Sequence, residues 1–191
     1  MRIFDCFMFY DEEVVLDIRL NSLKNSVDCF VIVESKFYHN GKKRDLKFDI
    51  NNYPKFKDKI IYIVQDEEPL DLETVKKEDD EGTKSYKLIF NAHKRENFQR
   101  NQISKALDKA NEDDLIMISD VDEIPNLKDL NVARVNDKIV IFEQDIFYYK
   151  LNRYLEGFTW HGTKACKKKK LKSPQWIRNV KNKKFGFWRL D

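Results

Sequence analysis

Four short apolar runs, at residues 3–9, 29–33, 60–64 and 115–118, constrain the fold of this chain more than any other feature. They carry almost no polar alternation, and only Asp5 interrupts the first. Strands of that kind are covered on both faces, as in a parallel sheet. Parallel neighbours need crossovers long enough to hold a helix. Between the first two runs, Val14, Val15, Ile18 and Leu23 fall at helical spacing, so strand, helix and strand fit into the first 35 residues, the size of a βαβ unit. The expected class is α/β, with a mostly parallel central sheet flanked by helices. At 191 residues one domain, 1–191, is expected.

The remaining segments read more coarsely. Residues 36–57 form a polar loop with one short strand expected at 46–48. Residues 86–110 are expected to be helical, with Phe98, Ile103, Ala106, Leu107 and Ala110 marking the buried side. A short helix is expected at 127–133, and a long strand at 138–151, kinked at the polar residues 143–145. After Tyr154 the pattern loosens. Ser173-Pro174 is an N-cap followed by a first-turn proline, which starts a helix.

Charge is balanced in total and uneven along the chain. Lys and Arg number 36 against 33 Asp and Glu. Residues 66–81 hold nine carboxylates and two lysines, have little to bury, and read as an acidic mobile loop. Residues 164–184 hold ten Lys or Arg and no acid. The basic C-terminal segment 164–191, with Trp176, Arg178, Trp188 and Arg189, is either solvated or a surface for a polyanion. Aromatic residues at 13% exclude overall disorder. Five glycines supply neither GxGxxG nor GxxxxGK[ST], which excludes a dinucleotide fingerprint and a P-loop. GxSxG and HExxH are also absent. No apolar segment approaches the ~18 residues of a membrane span. Arg2 and Asp5 stand where a signal peptide's apolar stretch would begin. Cys6, Cys29 and Cys166 are odd in number and lack metal-site spacing. A cytoplasmic location is therefore expected.

Asp120-Val121-Asp122 is the first candidate for chemistry. Among twenty aspartates, about two such triplets arise by chance, and this is the only one. It follows the fourth apolar run directly, at the strand end where open α/β sheets bind ligands. Two carboxylates there suit a hard divalent cation that bridges a diphosphate. The plain alternative is a solvated acidic turn. Arg95 and Arg100 lie upstream and suit phosphates, or else an exposed helix face with a Glu96–Arg100 ion pair. Tyr148, Tyr149 and Trp160 beside polar residues suit sugar rings, or else core packing. Glu143 and Asp145 are candidate general bases, and Glu34, after the second run, competes for a substrate role.

In order, the blocks Arg2-Ile3-Phe4-Asp5-Cys6-Phe7, Val31-Ile32-Val33-Glu34-Ser35, Arg95-Glu96-Asn97-Phe98-Gln99-Arg100-Asn101, Ser119-Asp120-Val121-Asp122-Glu123-Ile124-Pro125, Trp160-His161-Gly162-Thr163 and Ser173-Pro174-Gln175-Trp176-Ile177-Arg178 resemble glycosyltransferase family 17 across nearly the whole chain. The resemblance implies a GT-A type fold, a UDP-sugar donor such as UDP-GlcNAc, Mn²⁺ or Mg²⁺, and a glycan acceptor. It also implies a β-linked product from an α-linked donor, hence inversion with one carboxylate as base. Asp120 and Asp122 fall on the family's D-x-D, with Asp122 the more direct metal ligand and Asp120 reaching ribose or metal. Arg95 and Arg100 fall on its R-E-x-x-x-R block. The acidic stretch has no counterpart there. The family pattern continues past the last residue, with Gly186-Phe187-Trp188-Arg189 a partial match, so a C-terminally short domain is expected. The rival reading is a non-catalytic member that binds glycan or a polyanion through the basic segment. Neither nucleic acid nor a membrane span is expected.

Overall fold

The structure is a computed structural model in which residues 1–128, 130, 135, 138–150 and 152–181 are described. Strand β1 (Ile3–Phe9) leads through helix α1 (Glu13–Leu23) to β2 (Cys29–Ser35). Two 3-10 turns precede β3 (Ile60–Gln65), and helix α2 (Glu81–Asn101) continues as a 3-10 helix over Gln102–Lys109 into β4 (Leu115–Ser119). Then come β5 (Val140–Ile141), β6 (Gln144–Phe147), β7 (Tyr154–Trp160), β8 (Lys164–Lys167) and helix α3 (Pro174–Asn179).

Six strands form one sheet in the order β3-β2-β1-β4-β8-β5, and β6 pairs with β7 in a separate hairpin. β1 pairs parallel with β2 and β4, and β2 with β3, while β8 runs antiparallel between β4 and β5. The period-2 alternation of the strands sorts their side chains into two cores. Ile3, Phe7, Phe9, Phe30 and Ile32 meet Leu16, Leu20 and Leu23 of α1 on one face. Phe4, Cys6, Val31, Val33 and Ile118 meet Ile103, Ala106, Leu107 and Ile177 on the other. Both faces are covered, as the unbroken apolar runs require, and the expected α/β architecture forms. β3 is the exception: it is the edge strand and only half-buried.

Several boundaries differ from expectation for identifiable reasons. In α1 the buried stripe is Leu16, Arg19, Leu20 and Leu23, while Val14 is 71% exposed. The stripe is rotated because Arg19 finds a buried partner in Asp5. No strand forms at 46–48, because the amides of Lys47 and Phe48 donate to the Glu34 carboxylate at 2.7 and 3.0 Å. α2 starts five residues before Tyr86, capped by the Asp80 side chain, which accepts from the Thr83 amide. The long strand expected at 138–151 divides between the main sheet and the hairpin. The helix expected at 127–133 falls largely outside the described residues, as do Gly186-Phe187-Trp188-Arg189.

Among the described residues, both charged segments make ion pairs with the rest of the fold. Residues 66–80 contain no helix or strand and lie against α2. Glu68 meets Arg95 at 2.5 Å, Asp71 meets Lys94, the backbone of Glu73 meets the Asn91 amide, and Asp79 meets Lys87 at 2.7 Å. The basic segment begins as a core strand and not as a solvated run. Ala165 and Cys166 are fully buried in β8, and the buried Lys164 ammonium donates to the Arg178 carbonyl. Burial and the nearby Arg178 guanidinium pull the Lys164 pKa down. Lys167 and Lys169 pair with Asp113 at 3.2 and 2.9 Å, and Lys168 with Glu112 at 3.4 Å. Those pairs offset part of the positive charge of these lysines.

Candidate functional site

From β1 the chain steps through α1 to β2 and on to β3, and later returns to place β4 on the other side of β1. The direction of winding therefore reverses between β1 and β4. At such a reversal the connections leave the sheet on opposite faces and open a crevice beyond the carboxyl ends of the strands. A cleft of ≈ 820 Å³ lies there. Tyr10 and Glu12 after β1, Tyr38, His39 and Asn40 after β2, Glu96 and Gln99 of α2, and Asp120 and Asp122 after β4 line it.

One wall is aromatic. The Tyr10 and Tyr38 rings lie 5.8 Å apart, and the Arg44 guanidinium stacks on Tyr10 at 4.2 Å. Arg44 is held in turn by Glu34 at 3.0 Å. Glu34 is fully buried, and besides Arg44 and the two loop amides it accepts from the Tyr62 hydroxyl at 2.8 Å. Burial and that hydrogen bond push the Tyr62 pKa up. Glu34 is thus committed inside the protein and does not line the cleft. It braces the Tyr10–Tyr38 wall through Arg44.

The opposite side is the turn after β4. Asp120 accepts from Arg100 at 3.1 Å on one oxygen and from Arg178 at 2.6 Å on the other. Its backbone N–H donates to Glu123 Oε2 at 2.8 Å. Glu123 Oε1 accepts from Trp160 Nε1 at 2.6 Å and from Arg178 at 2.7 Å. Arg178 is partly buried, which opposes its charge, but Asp120 and Glu123 raise its pKa above the usual value. Arg100 is 2% exposed; it also contacts Glu96 and Gln175, and its Nε has no partner among the described residues. Gly162 closes the cluster from behind, since a Cβ there would stand 2.3 Å from the Glu123 carboxyl.

Asp122 differs from Asp120. It is exposed, lines the cleft, and its carboxylate makes no hydrogen bond or ion pair among the described residues. Beneath the turn lies Arg19, fully buried. Its Nη1 reaches the carbonyls of Asp120, Val121 and Glu123, each at 3.0 Å.

Of the residues singled out from the sequence, Asp120, Asp122 and Arg100 come together. Arg95 stands apart, bonded to Glu68 and to the His39 carbonyl at 3.2 Å. It packs on Gly41, whose φ of +86° suits glycine, and so supports the 38–41 turn of the cleft wall. Glu143 is exposed, 3.6 Å from His161 Nε2, and Asp145 is exposed on β6 opposite Thr159; neither lines the cleft. Sequence reasoning missed Arg19, named Arg178 only as part of the basic segment and a family block, and gave Glu123 and Gly162 no role beyond their place in the family blocks. The available signal was a lone charge inside each of two apolar patterns, Asp5 in β1 and Arg19 in α1. Among the described residues no three His, Cys, Asp or Glu side chains cluster to hold a metal. A single free carboxylate remains sufficient for a cation that takes its other ligands from phosphate and water, as Mg²⁺ commonly does.

The chain is similar in sequence to known proteins. The model of glycosyltransferase family 17 matches residues 1–174. The β-1,4-mannosyl-glycoprotein 4-β-N-acetylglucosaminyltransferase of Rattus norvegicus is 25% identical over 163 residues, covering 83% of this chain and 27% of that protein. The chain thus spans about a quarter of that relative's length. No solved structure matches. Among the described residues no helix is long and apolar enough to cross a membrane. The match takes in strands β1, β2 and β4, helix α2 with Arg100, and the Asp120–Asp122 turn, and by it the chain belongs to glycosyltransferase family 17.

Proposed function

We propose that the cleft binds a UDP-sugar and that the protein is a metal-dependent, inverting glycosyltransferase of GT-A type, moving GlcNAc to a mannose-containing glycan. The observation that carries this reading is the Asp122 carboxylate, without a partner among the described residues on the rim of a switch-point cleft, while its neighbour Asp120 is held by two arginines. The nucleobase stacks in the wall formed by Tyr10 and Tyr38, and the diphosphate lies toward Asp122. Asp122 would hold Mn²⁺ or Mg²⁺ together with diphosphate oxygens, and the cation would supply charge neutralisation for the leaving group. Asp120 serves the site through its bonds to Arg100 and Arg178, which keep two guanidiniums next to the diphosphate position.

Inversion is a single displacement. The acceptor oxygen bonds to the anomeric carbon, the bond to the diphosphate breaks, and the acceptor proton passes to a carboxylate. Glu143 is the base to test first, with Asp145 second. The loop that carries His161, the neighbour of Glu143, also carries Gly162 against Glu123. The acceptor lies along the β6–β7 hairpin, where Phe147, Tyr149, Tyr154, Phe158 and Trp160 are exposed and Trp160 bonds directly to Glu123. Aromatic faces of this kind pack on the C–H faces of sugars.

The test is UDP release from UDP-GlcNAc in Mn²⁺, with a mannose-core oligosaccharide as acceptor. Turnover that disappears in Asp122→Asn and in Glu143→Gln, with UDP binding retained in Glu143→Gln, supports the assignment. Full turnover in Asp122→Asn would overturn it.

A further inference from the structure

We propose that Arg19 and Asp5 form a buried positioning pair that sets the shape of the 119–123 turn and thereby aims Asp122 at the cleft. Neither residue is a catalytic residue, because both are fully buried and neither lines the cleft.

The pair sits where stability alone would not place it. Asp5 is the one charge in β1, and Arg19 interrupts the Leu16–Leu20–Leu23 stripe of α1, so the two meet inside an apolar helix–sheet interface. Exchanging a buried ion pair for apolar side chains of like volume is often neutral or stabilising. What the pair adds is direction. Arg19 Nε and Nη2 donate to the two oxygens of Asp5 at 2.8 and 2.6 Å, which fixes the plane of the guanidinium. The Phe7 ring lies 4.5 Å from its central carbon. So held, the fork presents Nη1 to three carbonyls of the turn and Nη2 to the Ser119 hydroxyl at 2.5 Å. Carbonyls of consecutive residues 120 and 121 are drawn inward onto one nitrogen, while Val121 is buried and the side chains of 120 and 122 flank it on the cleft side. A lysine has the charge but not the planar fork, so it cannot hold Asp5 and all these acceptors at once.

The experiment uses the full chain in four forms: wild type, Arg19→Lys, Arg19→Met combined with Asp5→Leu, and Leu20→Ala as a control that weakens the same interface without touching the turn. Two quantities are read. Hydrogen exchange of the backbone amides at 119–124 reports the turn itself and needs no ligand. Titration with UDP in Mn²⁺ reports the aim of Asp122, and this second readout rests on the donor-site reading above. In both Arg19 variants exchange at 119–124 should accelerate, and UDP should bind about 10–100-fold more weakly, the usual cost of losing a group that orients a ligand. The doubly substituted protein removes both charges together, so any fall in its melting temperature should come from the turn carbonyls left without their donor. Leu20→Ala should melt earlier with both readouts unchanged. Wild-type exchange and affinity in the double variant would overturn the proposal. If Arg19 variants do not fold, Ser119→Ala removes one of the guanidinium's acceptors, and unchanged exchange there would equally overturn it. Faster exchange in the variants, with no UDP binding even by wild type, supports the positioning pair and refutes the donor reading instead.

Discussion

Asp120 and Asp122 are separated by one residue, and their surroundings differ. Asp120 receives two guanidiniums, whereas Asp122 receives none among the described residues. Their substitutions should therefore fail in different ways. Asp122→Asn removes no hydrogen bond or ion pair among the described residues, so unfolding free energy in urea should stay within ~0.5 kcal/mol of wild type while Mn²⁺-dependent UDP binding is lost. Asp120→Ala leaves Arg100 and Arg178 facing each other, and should cost about 1–3 kcal/mol by the same measurement. Equal stability in the Asp120 variant would contradict the two-arginine clamp. On the other wall, Tyr10→Ala should weaken UDP by about 1–3 kcal/mol, the worth of one base on one aromatic face. Unaltered affinity by calorimetry would move the base elsewhere. The D-x-D was legible in the sequence because it directly follows an apolar strand. The partners of Asp120 were not, because Arg178 lies 58 residues downstream and reaches the turn only through the packing of α3.

At the scale of elements, unbroken apolar runs announced β1, β2 and β4, since burial on both faces leaves no room for polar alternation. The later elements were hidden for the opposite reason. β8 is four residues long and starts and ends with lysine, and β7 is mostly exposed. Glu34 shows the same limit. A carboxylate at a strand end reads as a ligand group, and only the fold reveals that two amides, a tyrosine and Arg44 already occupy it.

The junction of β1 with β4 carries a test of its own. Asp114 accepts from the Arg2 amide at 2.8 Å and from the Asn111 amide at 2.8 Å. Burial raises the Asp114 pKa, but these amides and the Arg2 guanidinium outweigh it and hold the carboxyl below its usual range. A carboxylate with a depressed folded-state pKa adds stability above the unfolded value, near ~3.9, and loses it as pH falls through the lower folded value. Asp114→Asn should therefore be less stable than wild type by about 1–3 kcal/mol at pH 7. The gap should persist down to about pH 5 and close below about pH 4. A gap that does not change with pH would rule out Asp114 as its source.

For the molecule as a whole, topology decides where chemistry can occur. The strand order reverses at β1 and β4, so the Asp120–Asp122 pair lands on the cleft that this reversal opens. In the basic segment Lys167, Lys168 and Lys169 pair with Glu112 and Asp113, and Arg178 pairs with Asp120 and Glu123, so part of its charge is spent within the fold. Binding to the native state alone must raise the melting temperature. The decisive measurement is the melting temperature of wild type and Asp122→Asn, titrated with UDP-GlcNAc with and without Mn²⁺. A rise that requires Mn²⁺ in wild type and vanishes in Asp122→Asn is the predicted result. The same rise in both proteins, or none in wild type, would contradict a donor site at the Asp120–Asp122 turn.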